Sequence, residues 1–235
     1  LSTVLGEVGV DEAATWLLAE GGDAGMMTRS VPMAKALDDA LLAYAQNGEA
    51  IRPEQGYPLR LLLPGFEGNM SVKWLRRLKV GDKPHYTRME VTTYSDLIKD
   101  GKSRILTHVM EAKSVITFPS GGMQLNGAGF YEVSGLAWSG RGRVTKAEVS
   151  DDGGARWRTA TLQQPVLSKS HTRFRLPWHW DGGDVVLQSR VTDETGYVQP
   201  TLQALVDVRG SDGENHNNAI QRWAIDREGK VTNVH

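Results

Sequence analysis

Val144-Thr145-Lys146-Ala147-Glu148-Val149 runs directly into Ser150-Asp151-Asp152-Gly153-Gly154. Val144, Lys146 and Glu148 alternate with Thr145, Ala147 and Val149, an imperfect period of two, and the small polar residues that follow suit a hairpin loop. The same unit recurs on both sides. β-rich segments at 115–118, 130–138, 156–162, 171–176, 184–192 and 203–208 are joined by turn-forming stretches, many of them glycine-bearing. That spacing predicts an antiparallel two-sheet sandwich. Trp138 and Trp157 are expected to lie largely buried in it, because large apolar rings carry a disproportionate share of a small core.

Upstream of about residue 112 the pattern is mixed. Residues 1–8 read as a helix with Leu1, Val4, Leu5 and Val8 on one face and Gly9 as the stop. A strand is expected over 16–19, ending at Gly21-Gly22, and a turn of helix over 32–37, where proline is tolerated at the start. Leu41 to Ala45 leads into Asn47-Gly48, a hairpin signal, and 60–65 is a strand stopped by Pro64-Gly65. Residues 72–80 read as a partly buried strand carrying Lys73, Arg76, Arg77 and Lys79. The expected fold class is therefore α+β, with a mixed part over 1–112 and a sandwich over 113–235.

Composition sets outer bounds. The chain has 235 residues, 40% hydrophobic and 23% charged, as expected of a packed globular protein. Lys plus Arg total 27 against 28 Asp plus Glu, a formal charge of -1, so nothing general favours nucleic acid or an anionic membrane, although a local basic pocket remains compatible. No apolar stretch is long enough to span a bilayer. There are no cysteines, which excludes disulfides, cysteine-ligated zinc, iron–sulfur clusters and thiol catalysis within these residues. The sequence begins at Leu1 inside an apolar segment, which suggests a piece of a longer chain.

Ordinary catalytic motifs are missing: no GxSxG, no P-loop and no dinucleotide fingerprint. The histidines are His85, His108, His171, His179, His216 and His235, and they form no metal-binding motif; His171 and His179 read as sandwich surface. No metal ligand is expected. Arg60 and Lys73, thirteen residues apart across the Pro64-Gly65 and Gly68-Asn69 turns, could form an anion seat, a guanidinium fork plus a movable point charge. Equally, they could be a solvated basic edge that discourages sheet pairing. Arg29, between Thr28 and Ser30, leaves the same two readings open.

The order of certain stretches resembles the sulfite oxidase family, and within it the SoxC-type sulfane dehydrogenases of bacterial thiosulfate oxidation. They are Thr28-Arg29-Ser30-Val31-Pro32-Met33, Leu41-Leu42-Ala43-Tyr44-Ala45-Gln46-Asn47-Gly48-Glu49, Gly56-Tyr57-Pro58-Leu59-Arg60 and Val72-Lys73-Trp74-Leu75. Gly135-Leu136-Ala137-Trp138-Ser139-Gly140, Val149-Ser150-Asp151-Asp152-Gly153-Gly154 and Asn218-Ala219-Ile220-Gln221-Arg222-Trp223 continue the likeness. The resemblance implies the C-terminal part of a molybdopterin-binding domain followed by an immunoglobulin-like domain through which subunits self-associate. It implies cofactor contacts for Arg60, Lys73, Gln55 and Arg29, with Gln55 standing where relatives often carry a histidine. Arg209, in Val208-Arg209-Gly210, resembles an arginine that faces the substrate anion.

Where the family has an active-site Asp-Tyr pair, this chain has Glu90 followed by Val91, with Tyr94 nearby but out of register. Glu90 and Tyr94 are the catalytic candidates there, and the displaced tyrosine fits a substrate other than free sulfite. The family's molybdenum-ligating cysteine is expected upstream of these residues. The implied activity is molybdenum-dependent oxidation of sulfane sulfur on a carrier protein, in the periplasm, with a c-type cytochrome subunit as electron acceptor. A sulfite dehydrogenase and a non-catalytic binding module are the alternatives.

Overall fold

A computed structural model describes residues 1–98, 101–210 and 216–234; His235 lies outside the described residues. The chain divides into two compact units, Leu1–His108 and Val109–His235. Among the described residues no helix is long and apolar enough to cross a membrane.

The first unit opens with α1 (Ser2–Val8), which ends at Gly9. Its apolar face is narrower than the spacing predicts: Leu5 is buried, but Val4 and Val8 are exposed, because so short a helix buries little more than one side chain against its neighbour. Then come β1 (Trp16–Gly21), β2 (Thr28–Pro32), α2 (Met33–Asp38), β3 (Leu41–Ala43), β4 (Ala45–Gln46), β5 (Glu49–Ala50), β6 (Arg60–Leu62), β7 (Leu75–Gly81), α3 (Arg88–Thr92), β8 (Asp96–Leu97) and β9 (Ser103–Arg104). β1 is the centre of an antiparallel sheet ordered β2-β1-β7, in which Leu17 pairs with Val31 and Val80. Leu17, Val31, Leu61, Leu63 and Val72 pack into one core. The β4–β5 hairpin turns at Asn47 (φ 54°) and Gly48 (φ 82°), the two left-handed positions that a two-residue hairpin demands.

The second unit contains β10 (Lys113–Phe118), β11 (Gly129–Trp138), β12 (Val144–Ser150), β13 (Arg158–Leu162), β14 (Thr172–Trp180), β15 (Val185–Asp193), α4 (Leu202–Arg209), β16 (Arg222–Ile225) and β17 (Val231–Val234). The strands form one antiparallel ladder, β10-β11-β14-β13-β12-β15-β16-β17. It doubles over at β13, whose first half pairs with β12 and whose last two residues pair with β14. β10 thereby comes to lie over β15, where Ser114 Oγ and Ser189 Oγ are 2.9 Å apart. The result is an immunoglobulin-like sandwich. Perfect alternation in β14 buries Thr172, Phe174, Leu176, Trp178 and Trp180 on one face.

One expectation is corrected here. Residues 203–208 are helical, not a strand: the Thr201 hydroxyl accepts a hydrogen bond from Ala204 N at 3.2 Å and caps α4, and Leu205 and Arg209, one turn apart, are both buried. Trp138 and Trp157 are largely buried, as expected, but the rings at the centre of the core are Trp178 and Trp180, 2% and 1% exposed.

Candidate functional site

In the first unit a 3-10 turn over Pro53–Gln55 ends at Gly56, which has φ +110°. A Cβ there would lie 2.9 Å from Lys73 Cβ, 3.0 Å from Lys73 Cα and 3.2 Å from Arg60 Cβ. Only glycine both adopts this backbone without strain and lets the Gln55 turn, Arg60 and Lys73 close on one another. Arg60 donates through Nη1 to Gln55 O (3.0 Å) and through Nη2 to Ser71 O (3.3 Å), while its buried Nε has no partner. Burial draws its pKa down from the ordinary arginine value, yet a guanidinium stays charged. Lys73 Nζ donates to Glu54 O at 2.6 Å and lies 5.5 Å from the Trp74 ring. Among the described residues neither cation meets a carboxylate. Both are held by neutral carbonyls, so their charge remains available to an anion.

Arg76 and Arg77 are different. Each makes a 2.6 Å ion pair with Glu20 on the adjacent strand β1. Of Lys73, Arg76 and Arg77, only Lys73 is then left as the partner of Arg60. The Gln55 side chain is exposed, and its Oε1 accepts Arg52 N at 3.4 Å.

Arg29 sits mid-strand in β2 with no exposure. Its Nε donates to Asn69 Oδ1 (3.1 Å) and its Nη1 to Thr28 O (2.8 Å), while the buried Nη2 has no partner. The guanidinium lies 4.7 Å above the Tyr94 ring. Burial lowers its pKa, and the nearby Tyr94 and Glu90 work against that shift. Glu90, 3% exposed, accepts from Ser30 N, Ser30 Oγ (3.0 Å), Thr87 N (3.0 Å) and Thr87 Oγ1 (2.9 Å). It thus closes the capping box of α3 and ties that helix to β2. Arg29 and Arg60 grip opposite ends of one turn, at Asn69 and Ser71, and a cavity of about 250 Å³ beside that turn is lined by Asn69, Ser71, Lys73 and Trp74.

In the second unit Arg209 is the last residue of α4 and 5% exposed. Its Nη2 lies 3.1 Å from Glu111 Oε2. Glu111 also receives Arg141 Nη2 (3.0 Å) and the Tyr197 hydroxyl (3.1 Å), and His216 Nε2 lies 3.3 Å away. The hydrogen bond from His216, with those from Arg209 and Arg141, holds the Glu111 carboxyl well below the usual carboxylate range despite its burial. The sequence reading missed Glu111, since nothing local marks it.

The donor set in the first unit suits a phosphate. An orphaned buried Nε, a lysine held only by a carbonyl and a glycine-lined approach are the fittings of an anion cradle. They do not suit a metal, because a guanidinium and an ammonium offer donors and no free lone pair. The cradle lies in an α+β unit that is followed in the chain by an immunoglobulin-like unit. Residues 1–89 match the family of oxidoreductase molybdopterin binding domains, and 104–226 match the Mo-co oxidoreductase dimerisation domain. The chain belongs to the sulfite oxidase family. The crystal structure of the sulfane dehydrogenase SoxCD from Paracoccus pantotrophus is similar at 51% identity and a TM-score of 0.96, covering 100% of this chain and 60% of that one. Mitochondrial sulfite oxidase of Drosophila melanogaster is 31% identical over 229 residues, 85% of this chain and 40% of that protein. Nitrate reductase [NADH] 2 of Phaseolus vulgaris is 32% identical over 181 residues, 68% of this chain and 20% of that protein. The chain thus spans less than half the length of these two relatives.

Proposed function

We propose that a polypeptide containing these residues together with the thiolate ligand is a molybdenum-dependent dehydrogenase of sulfur compounds. Its substrate is sulfane sulfur on a carrier protein in thiosulfate oxidation, in the periplasm, and its electrons pass to a c-type cytochrome subunit. The observation that carries this reading is the 51% identity, over the whole of this chain, to a sulfane dehydrogenase. Self-association through the immunoglobulin-like unit belongs to the same reading and follows from the matched dimerisation domain.

When bound, the molybdenum cofactor supplies a two-electron acceptor. Arg60 and Lys73 hold its phosphate by charge, and Gln55 offers a neutral hydrogen bond where a histidine would add a titratable one. Arg29 is a further cofactor contact in the first unit, and Arg209, held by Glu111, is the arginine that faces the substrate anion. Tyr94 supports Arg29 through its ring, and Glu90 acts on the reaction by holding α3 and β2 together.

The likeness to sulfite oxidases favours a second reading, oxidation of free sulfite. Steady-state assays of the holoenzyme with cytochrome c as acceptor separate the two. The sulfane reading expects a higher kcat/KM on a persulfidated carrier protein than on sulfite, and a higher value on sulfite overturns it.

A further inference from the structure

The second unit contains a larger cavity, about 570 Å³, that the reading above does not use. Its walls come from the β12–β13 connection at Gly153, Gly154 and Trp157, from β15, from the start of α4 and from the first residue of β16. We propose that this cavity binds a small organic carboxylate with an apolar body.

Two independent features point to a ligand. Gln188, on β15, is only 5% exposed, yet among the described residues its side-chain amide has no hydrogen-bond partner. The end of the Gln188 side chain lies close against Gly154, whose φ of +101° favours glycine in its own right. At a cavity wall, such an amide is open to a ligand's hydrogen bonds. Separately, α4 begins at this wall. The amide N–H groups of Leu202 and Gln203, its first two residues, have no intrahelical acceptor and carry the positive end of the helix dipole.

The charge of the lining selects the ligand. Arg190 and Arg222 both line the cavity, and among the described residues no aspartate or glutamate does. Arg190 spends its Nε on Glu148 at 2.9 Å and stacks 4.2 Å from the Trp157 ring, which fixes the fork and leaves its Nη donors unpaired among the described residues. A fixed guanidinium, helix N–H groups and the NH2 of the Gln188 amide supply donors suited to a planar oxyanion. Trp157, Leu202 and Ile220 supply apolar wall for the rest of the molecule. The volume falls within the range of small-molecule sites, which fixes the ligand's size class.

Heteronuclear NMR of the full chain tests this with phenylacetate, phenylacetamide and sulfate as probes. Phenylacetate is expected to shift the Gln188 side-chain amide, the Trp157 indole and the Leu202 and Gln203 amides together, with a dissociation constant on the order of a millimolar or tighter. Phenylacetamide, which lacks the charge, should bind about tenfold more weakly. Gln188→Leu should weaken phenylacetate about tenfold. Gln203→Glu, which places a carboxylate where the helix dipole tolerates it, should weaken it at least as much without unfolding the chain. Equal affinity for the amide and the acid, shifts confined to other residues, or no saturation by about 20 mM would each overturn the proposal. Sulfate saturating the same resonances as tightly as phenylacetate would overturn its claim to an organic acid.

Discussion

Arg209 Nη2 and Glu111 Oε2 stand 3.1 Å apart, and the carboxylate that fixes the arginine is shared with Arg141, Tyr197 and His216. One acid therefore stabilises several donors, and an almost fully buried guanidinium depends on it. Glu111→Gln is expected to lower unfolding free energy at pH 7 by about 3 kcal/mol, the usual cost of leaving a buried charge uncompensated. Because the folded-state pKa of Glu111 is depressed, its contribution is complete above the unfolded carboxylate value of about 4.3 and is lost as pH falls through the lower folded value. The gap between wild type and variant in urea titrations should shrink by about 1.4 kcal/mol per pH unit below about pH 4. A gap that stays constant down to pH 3 would show that the ionised carboxylate is not its source.

Gly56→Ala tests the cradle by steric means. The new Cβ meets Lys73 at 2.9 Å on a backbone with φ +110°, so strain and clash add. Gly48→Ala is the control, since its φ of +82° is also left-handed but nothing lies within 4 Å of its Cβ. The control is expected to lose about 1 kcal/mol and Gly56→Ala at least about 2 kcal/mol, measured by urea unfolding. Equal losses would mean that Lys73 gives way freely and the approach is not tight.

Arg60→Ala and Lys73→Ala probe charge in the same place. Each cation donates to backbone carbonyls rather than to a carboxylate, so its removal strands no buried acid. Folding should change little, while molybdopterin retention in the holoenzyme falls by about ten- to a hundredfold per substitution, the worth of a charge-assisted contact. Molybdenum content and cofactor fluorescence equal to wild type in both variants would remove these residues from the phosphate site.

The two units differ in how far the sequence discloses them. β14 could be read over 171–176 from its alternation, but it continues through Pro177 to Trp180, where a proline normally argues against a strand. α4 could not be read, since Gln203-Ala204-Leu205-Val206-Asp207-Val208 has the β-branched content of a strand. What decides for helix is the Thr201 cap and the one-turn spacing of Leu205 and Arg209. The β16–β17 hairpin did carry a signal, in Asp226 and Gly229, where Asp226 Oδ1 accepts from Glu228 N and Lys230 N around a glycine with φ +83°. The Arg60–Lys73 cradle was legible as a spacing, but the loss of Arg76 and Arg77 to Glu20 needed the β1–β7 register. Glu111 was illegible for a plainer reason. Its donors Arg141, Tyr197 and Arg209 lie 30, 86 and 98 residues downstream, beyond any local pattern.

Glu90 separates a positioning role from a proton-transferring one. Its Oε1 accepts Ser30 N, and its Oε2 accepts Ser30 Oγ, Thr87 N and Thr87 Oγ1. In Glu90→Gln the amide nitrogen must replace one oxygen. The two hydroxyls can turn to accept, but a backbone N–H cannot, so either Ser30 N or Thr87 N loses its acceptor in each amide orientation. An unsatisfied buried N–H costs roughly 1–3 kcal/mol, and the loss should appear in urea unfolding and in faster hydrogen exchange across α3. Because α3 leads to Tyr94, which lies under Arg29, the holoenzyme variant should retain less molybdopterin, seen as a lower molybdenum content, with the pH profile of kcat unchanged. A proton-transferring Glu90 would behave otherwise: kcat would fall, one limb of its pH profile would vanish, and stability would stay at the wild-type value. That second pattern would return Glu90 to the catalytic residues.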